Sequence, residues 1–178
     1  GETYRPLLGH FRHEIGHYYW DRLIRDDPDW LVRFRDVFGD ETVDYEQALK
    51  AHYANPSAPD WQENHITAYA ASHPWEDWAE TWAHYLHIVD TLEMADALGM
   101  SISAMETKEE DLHTPNADGT ETTSESPFDR TLKRWIVLSN ASNSINRCMG
   151  LPDLYPFVIS RNVSAKLAFV DELLRRPR

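Results

Sequence analysis

The chain has 178 residues, enough for one domain with a hydrophobic core of its own. Thirty acidic residues against seventeen Lys and Arg give a formal charge of −13, which argues against nucleic acid and anionic membrane as partners because both would repel it. A lone Cys148 leaves no intrachain disulfide framework and no Cys-based zinc cluster, and no run of about 18 apolar residues is present to span a membrane.

The first predicted helix runs from Tyr4 to Arg25, with Pro6 tolerated in its first turn. Leu8, Phe11, Ile15, Tyr19 and Leu23 are expected to form its core face. Within it stands His13-Glu14-Ile15-Gly16-His17. Residues four apart on a helix share a face and are separated by about 6 Å of rise. His13 and His17 can therefore converge on one metal ion, and Glu14 then lies beside the open coordination position, where a general base must be. Gly16 costs about 1 kcal/mol against Ala in a helix interior. In return it permits close approach of another backbone, or of substrate, between the two histidines. His10 is on the same face, but three histidines spanning about 10 Å of axis do not all reach one ion. His10 is expected to be structural or a substrate contact.

Asp27 caps a second helix that begins at Pro28 and ends at Gly39, with Trp30, Leu31, Phe34 and Phe38 as its apolar stripe. A short helix follows from Tyr45 to Tyr53, and Asn55-Pro56-Ser57-Ala58-Pro59 is a turn-rich connector. Asp60 to Ala71 is predicted helical, and Ser72-His73-Pro74 breaks it. The second long helix spans Pro74 to Leu98, buries Trp78, Trp82, Tyr85 and Val89, and stops at Gly99. Residues 107–127 are polar and acidic, with little periodicity, and are read as a surface loop. Phe128 to Met149 is helical through Leu132, Trp135, Ile136, Leu138 and Ile145, ending at Gly150-Leu151-Pro152. Pro156 to Ile159 is a short extended piece, and Ser160 caps a last helix carrying Val163, Leu167, Val170 and Leu174. Strand signals are scarce. The expected fold is mainly α with little or no sheet, a single domain over residues 1–178. The chain opens with Gly-Glu-Thr and no Met, so a C-terminal fragment of a longer protein is expected.

A catalytic zinc usually takes three protein ligands and keeps one position for water. Two histidines leave one ligand to find. Glu76 and Glu80 are four apart on the second long helix, and Glu76 lies in its first turn, where the helix dipole favours a carboxylate. One carboxylate can bind the metal while the other accepts the free ring N–H of a ligand histidine and fixes its tautomer.

An H-E-x-x-H helix followed by a helix bearing E-x-x-x-D/E resembles the gluzincin pattern of thermolysin-like peptidases. Glu76-Asp77-Trp78-Ala79-Glu80 is similar to the E-x-F-A-E segment of the lethal-factor toxin peptidases. Leu7 to Trp20, His73 to Tyr85, and Asn146-Arg147-Cys148-Met149-Gly150-Leu151-Pro152 with Tyr155-Pro156-Phe157-Val158 resemble the bacterial "putative zinc-binding metallopeptidase" family, whose members usually carry a Cys-rich zinc ribbon before this region. The resemblance implies a gluzincin-like helical core with Zn²⁺ held by His13, His17 and Glu76. It makes Glu14 the catalytic base, Glu80 the carboxylate behind the ligands, and Tyr69 a hydrogen-bond donor to the oxyanion. It further implies a peptide or protein substrate and a bacterial cytoplasmic location.

Alternatives stand beside these roles. Tyr69 also fits core packing. His65 and His73 are alternative proton donors or oxyanion partners, or a closed fourth metal ligand. His84 and His87 are expected to be packed or surface residues, and Cys148 a small buried one. Arg12, Arg134 and Arg147 are candidates to orient a substrate carboxylate. The expected activity is zinc-dependent hydrolysis of peptide bonds with water activated by Glu14. Its rivals are a non-catalytic, zinc-stabilised protein-binding module and a metal-free helical scaffold.

Overall fold

The computed structural model describes residues 6–55, 60–100 and 126–176. All regular structure among the described residues is helical, as the sequence predicts, and no strand forms. The helices are α1 (Leu7–Leu23), α2 (Pro28–Phe38), α3 (Tyr45–Ala54), α4 (Trp61–Asn64), α5 (Pro74–Ala97), α6 (Pro127–Cys148) and α7 (Arg161–Arg175), with a 3₁₀ turn at Ala70–Ser72. Most of the predicted loop 107–127, part of the Asn55–Pro59 connector, and Tyr4 lie outside the described residues. The residues group into two compact units, one of residues 1–88 and 157–178, the other of residues 89–156.

In the first unit, punctuation residues set the helix limits. Asp27 accepts from the Trp30 amide at 3.3 Å with Pro28 in the first turn, and Gly39 ends α2 at φ +101°. Asp44 caps α3, and Ser160 caps α7 through the Val163 amide at 3.1 Å. Phe34 and Phe38 stack with ring centres 4.9 Å apart and meet Trp78 of α5 edge-on; Phe38 also meets Phe169 of α7. Trp78 is fully buried at the centre of this cluster. An aromatic of that size removes about 150–250 Å² from water, roughly 4–6 kcal/mol at 25 cal/mol per Å². On α7 the buried stripe is Val163, Leu167, Val170 and Leu173, whereas the predicted Leu174 is exposed.

One predicted element differs. Asp60 to Ala71 is not one helix: α4 lasts one turn, His65 is extended, and Ile66 and Thr67 are buried before the 3₁₀ turn. The β-branched Ile66-Thr67 pair disfavours helix and suits this extended crossing. Pro156 to Ile159 belongs to no helix or strand.

α1 turns a different face inward from the predicted one. Leu8, Phe11 and Tyr19 are exposed, while Gly9, His13, Gly16, Trp20 and Ile24 are buried. The reason is the partner helix. Gly16 brings α1 onto α5 so closely that a Cβ at this position would lie 3.1 Å from Ala79 Cα and 3.2 Å from Trp82 Cβ. The Gly16 carbonyl accepts the Trp78 indole N–H at 2.8 Å. Of the two roles the sequence allowed for Gly16, the structure supports approach of another backbone.

In the second unit, α6 begins with a capping box. Ser126 Oγ accepts from the Asp129 amide at 3.1 Å, and Asp129 Oδ2 accepts from the Ser126 amide at 2.8 Å. Trp135 packs edge-on against Tyr155, whose backbone N–H and carbonyl are both bound by the buried Asn143 side chain at 2.9 Å. The predicted Ile136 and Ile145 are exposed. Cys148 is exposed as well, not buried, because it occupies the solvent-facing end of α6.

Replacing Gly16 with Ala should lower the melting temperature. Overpacking against the Ala79 backbone costs about 1–3 kcal/mol, more than the roughly 1 kcal/mol of helix propensity gained. Differential scanning calorimetry reads the effect; an unchanged or raised melting temperature would show that the helices part freely.

Candidate metal centre

α1 and α5 bring His13, His17 and Glu76 to one point. One donor atom from each lies within 4.8 Å of the others, the only such group of three among the described residues. His13 is buried, His17 nearly so, and Glu76 is buried. His13 Nε2 lies 3.0 Å from Glu76 Oε2 and 3.2 Å from His17 Nε2, and His17 Nε2 lies 3.6 Å from Glu76 Oε1.

The hydrogen bonds behind this trio decide its protonation. Glu80 accepts from His13 Nδ1 at 2.7 Å and from Thr67 Oγ1 at 2.9 Å, and Thr67 Oγ1 accepts from the Ala70 amide at 3.0 Å. With its proton on Nδ1, a neutral His13 presents a bare lone pair at Nε2. That lone pair faces His17 Nε2 and a carboxylate oxygen, a set that either a proton on His17 Nε2 or a cation among the three would reconcile. Glu76 Oε2 is buried with no hydrogen-bond partner. Donors bonded at about 2.0–2.1 Å around a tetrahedral ion stand roughly 3.3 Å from one another, the spacing found here. The residues therefore fit a zinc ion. Two imidazole nitrogens and one carboxylate are a donor set that catalytic zinc sites use.

Tyr45 enters the centre from the start of α3. Its hydroxyl donates to Glu76 Oε1 at 2.7 Å, and its ring packs on His73 and Trp75. Tyr69 lies with its ring centre 6.0 Å from that of His13, and its hydroxyl hydrogen-bonds at Glu76 and Tyr45. Burial, reinforced by the hydrogen bond to Glu76 and its charge, pushes the Tyr45 phenol up to about 12. Burial and the charge of Glu76 push Tyr69 up as well. Both phenols keep their protons at neutral pH and act as donors. Burial works to raise the Glu76 carboxyl, but the neighbouring His13 and His17 side chains and the hydrogen bond from Tyr45 outweigh it and hold Glu76 below the usual carboxylate range.

Glu14 lies at the rim. Its side chain is more than half exposed, 3.8 Å from His10, and its charge reaches the Tyr45 phenol. Trp75 covers the other side, its ring centre 4.3 Å from that of His17.

The remaining candidates are engaged elsewhere. His73 uses both ring nitrogens on backbone: Nδ1 accepts from the Trp75 amide at 3.0 Å at the head of α5, and Nε2 donates to the Val43 carbonyl at 3.0 Å. His65 faces Asp77 at 3.1 Å, where Lys166 also binds at 2.6 Å. His84 packs against Phe157, and His87 Nδ1 accepts from Arg12 at 2.7 Å. Arg147 grips Asp153 with two nitrogens, and Arg134 pairs with Asp96. Tyr45 and Thr67 were not among the predicted site residues. Thr67 has a weak local signal, a hydroxyl three residues before the amide it binds. Tyr45 has none, being thirty-one residues from Glu76 in sequence.

The fold is mainly α, and its adjoining helices hold two imidazoles and a carboxylate that could bind a metal ion, with a second carboxylate behind. Residues 1–173 match the family described as "Putative zinc-binding metallo-peptidase", and the chain belongs to it. It is 45% identical over 169 residues to an uncharacterized protein of Mycobacterium bovis and to uncharacterized proteins of two strains of Mycobacterium tuberculosis. The match covers 95% of this chain and 46% of each relative, so the chain spans about half their length. No solved structure matches it. Among the described residues, no helix is long and apolar enough to cross a membrane.

Removing the carboxylate of Glu80 should weaken zinc binding by about ten- to a hundredfold, the usual cost of losing an outer-shell partner. Competition of Glu80→Ala and the parent chain against a chromophoric chelator measures this; equal affinities would show that Glu80 does not orient His13.

Proposed function

We propose that this chain is the catalytic region of a zinc-dependent peptidase that cleaves peptide bonds in peptide or protein substrates. The observation that carries the reading is the pairing of a buried, unpartnered Glu76 Oε2 beside two imidazole nitrogens with an accessible carboxylate, Glu14, one residue from His13. In the proposed site His13, His17 and Glu76 hold the ion. When bound, zinc supplies Lewis acidity that polarises a carbonyl and makes water more acidic.

The protein's own groups perform the rest. Glu14 takes a proton from the attacking water as the new carbon–oxygen bond forms. It passes that proton to the departing nitrogen as the carbon–nitrogen bond breaks, so the carboxylate is regenerated. Tyr69 keeps its proton across the neutral range and donates a hydrogen bond to the developing oxyanion. Glu80 and Thr67 hold His13 in the tautomer that leaves Nε2 available. The engagement of both His73 nitrogens on backbone, and of His65 with Asp77, supports a position left open for water rather than closed by a fourth side chain.

Glu14→Gln tests the assignment, because it removes a proton acceptor from an exposed position and leaves the ligands in place. Zinc stoichiometry by elemental analysis should stay at one per chain. Cleavage of a peptide library should fall about 10²–10⁴-fold, the range for loss of a general base. Chelation should abolish cleavage while the helical circular dichroism persists, and added zinc should restore turnover. Cleavage unchanged in Glu14→Gln would remove the assignment. Loss of fold on chelation, with no cleavage by the holoprotein, would favour a zinc-stabilised binding module.

A further inference from the structure

The two oxygens of Glu76 are not equivalent. Oε1 accepts the Tyr45 hydroxyl at 2.7 Å and lies 3.6 Å from His17 Nε2. Oε2 is buried, accepts no hydrogen bond, and lies 3.0 Å from His13 Nε2. A carboxylate free to rotate can offer a divalent ion both oxygens. A second oxygen would occupy the coordination position that hydrolysis requires for water. An oxygen already accepting a short hydrogen bond from a phenol is a poorer second ligand, and the phenol also fixes the rotation of the carboxylate.

Resting on the zinc reading above, we propose that Tyr45 is a positioning residue that keeps Glu76 a one-oxygen ligand through Oε2. It thereby preserves the vacant coordination position and leaves Tyr69 free to leave Glu76 for the substrate. The surroundings of Tyr45 suit this task. It occupies the first position of α3, whose N-cap Asp44 accepts from the Gln47 amide at 2.9 Å, so the helix start is fixed. Its ring stands edge-on to His73 with centres 5.2 Å apart. His73 is itself held at both nitrogens, by the Val43 carbonyl two residues before Tyr45 and by the Trp75 amide beside Glu76. The phenol and the carboxylate are thus tied together through backbone as well as through their own hydrogen bond. Tyr69 also hydrogen-bonds at Glu76, but it sits beside a 3₁₀ turn and next to His13, where a substrate carbonyl would arrive. With two phenols on one carboxylate, one can depart without releasing it.

The test is Tyr45→Phe, which keeps the ring and deletes one oxygen. Zinc affinity should fall about ten- to a hundredfold by chelator competition. In the cobalt-substituted protein, the intense visible bands of a four-coordinate ion should weaken toward the pattern of a five-coordinate one. Tyr69→Phe should leave the cobalt spectrum unchanged, which separates the two phenols. X-ray absorption of the zinc-loaded parent chain reads the same quantity without any substitution and should show a one-oxygen carboxylate. A two-oxygen carboxylate in the parent, or a Tyr45→Phe protein with parental zinc affinity and cobalt spectrum, would overturn the role given to Tyr45. Failure of the parent chain to bind zinc at all would instead overturn the metal reading on which it rests.

Discussion

The contact between the Gly16 carbonyl and the Trp78 indole governs the rest of the site. It lies between His13 and His17 on one helix and within the Glu76–Glu80 turn on the other. Helices packed through ordinary side chains keep their axes about 8–10 Å apart. With no side chain at Gly16, α1 meets the Ala79 backbone and the Trp82 side chain directly. Only at such a separation do imidazoles from one helix and carboxylates from the other come within 3 Å without reaching. The glycine that costs helix stability locally is therefore the residue that makes the interhelical centre possible.

Closing the helices buries three carboxylates on one turn of α5. Each carries a desolvation cost of several kcal/mol unless it is paired and hydrogen-bonded. Asp77 is matched by Lys166 of α7 at 2.6 Å, with His65 at 3.1 Å. Glu80 accepts from His13 and Thr67. Glu76 receives Tyr45, yet one of its oxygens stays unpartnered. Neighbouring positions of one helical turn thus do different work. Asp77 fastens the turn to α7, Glu80 sets the tautomer of His13, and Glu76 keeps one oxygen toward the two imidazoles. Asp77 Oδ1 is also unpartnered, but its other oxygen is paired with Lys166, whereas Glu76 has no lysine or arginine beside it among the described residues.

What was legible in the sequence was what local spacing encodes. Helix limits followed from Asp27, Pro28, Gly39, Ser160 and the pitch of the apolar residues, and the paired histidines followed from their four-residue separation. The core face of α1 was misread because two faces competed. At about 100° per residue, Phe11, Ile15 and Tyr19 lie on the side opposite His13. Hydrophobicity favoured the first set and the histidine spacing the second; the contact at Gly16 turned the histidines inward, and of the first set Tyr19 still reaches α5, stacking on Trp82 from the edge of the interface. Tyr45 was invisible because nothing near it in sequence refers to Glu76; only the packing of α3 against the head of α5 brings them together. The segment from Asn146 to Tyr155, which carries much of the family resemblance, is occupied with backbone. Asn143 brackets Tyr155, Asn146 donates to the Pro152 carbonyl, and Arg147 clamps Asp153. Its residue pattern reflects how the chain leaves α6, which a motif comparison cannot tell from catalytic need.

The order of burial around α1 shows how one helix divides the labour. Taking His13 as the reference direction, Gly16 points about 60° to one side, His17 about 40° and Glu14 about 100° to the other. Gly16 is pressed against backbone, His13 is enclosed, His17 keeps a small exposed edge, and Glu14 is more than half in solvent. The helix contact, the two histidines and, in the roles proposed above, the base thus follow one another from interior to rim over roughly 160° of one helix. A base must meet water and substrate, and so must lie where the interface opens; ligands must be held still, and so must lie where it closes. Rotating α1 by one residue would carry Glu14 into the interface and His13 out of it. The motif and the interhelical glycine contact are therefore one constraint, since the same rotation that seats Gly16 on Ala79 determines which carboxylate is left exposed at the rim.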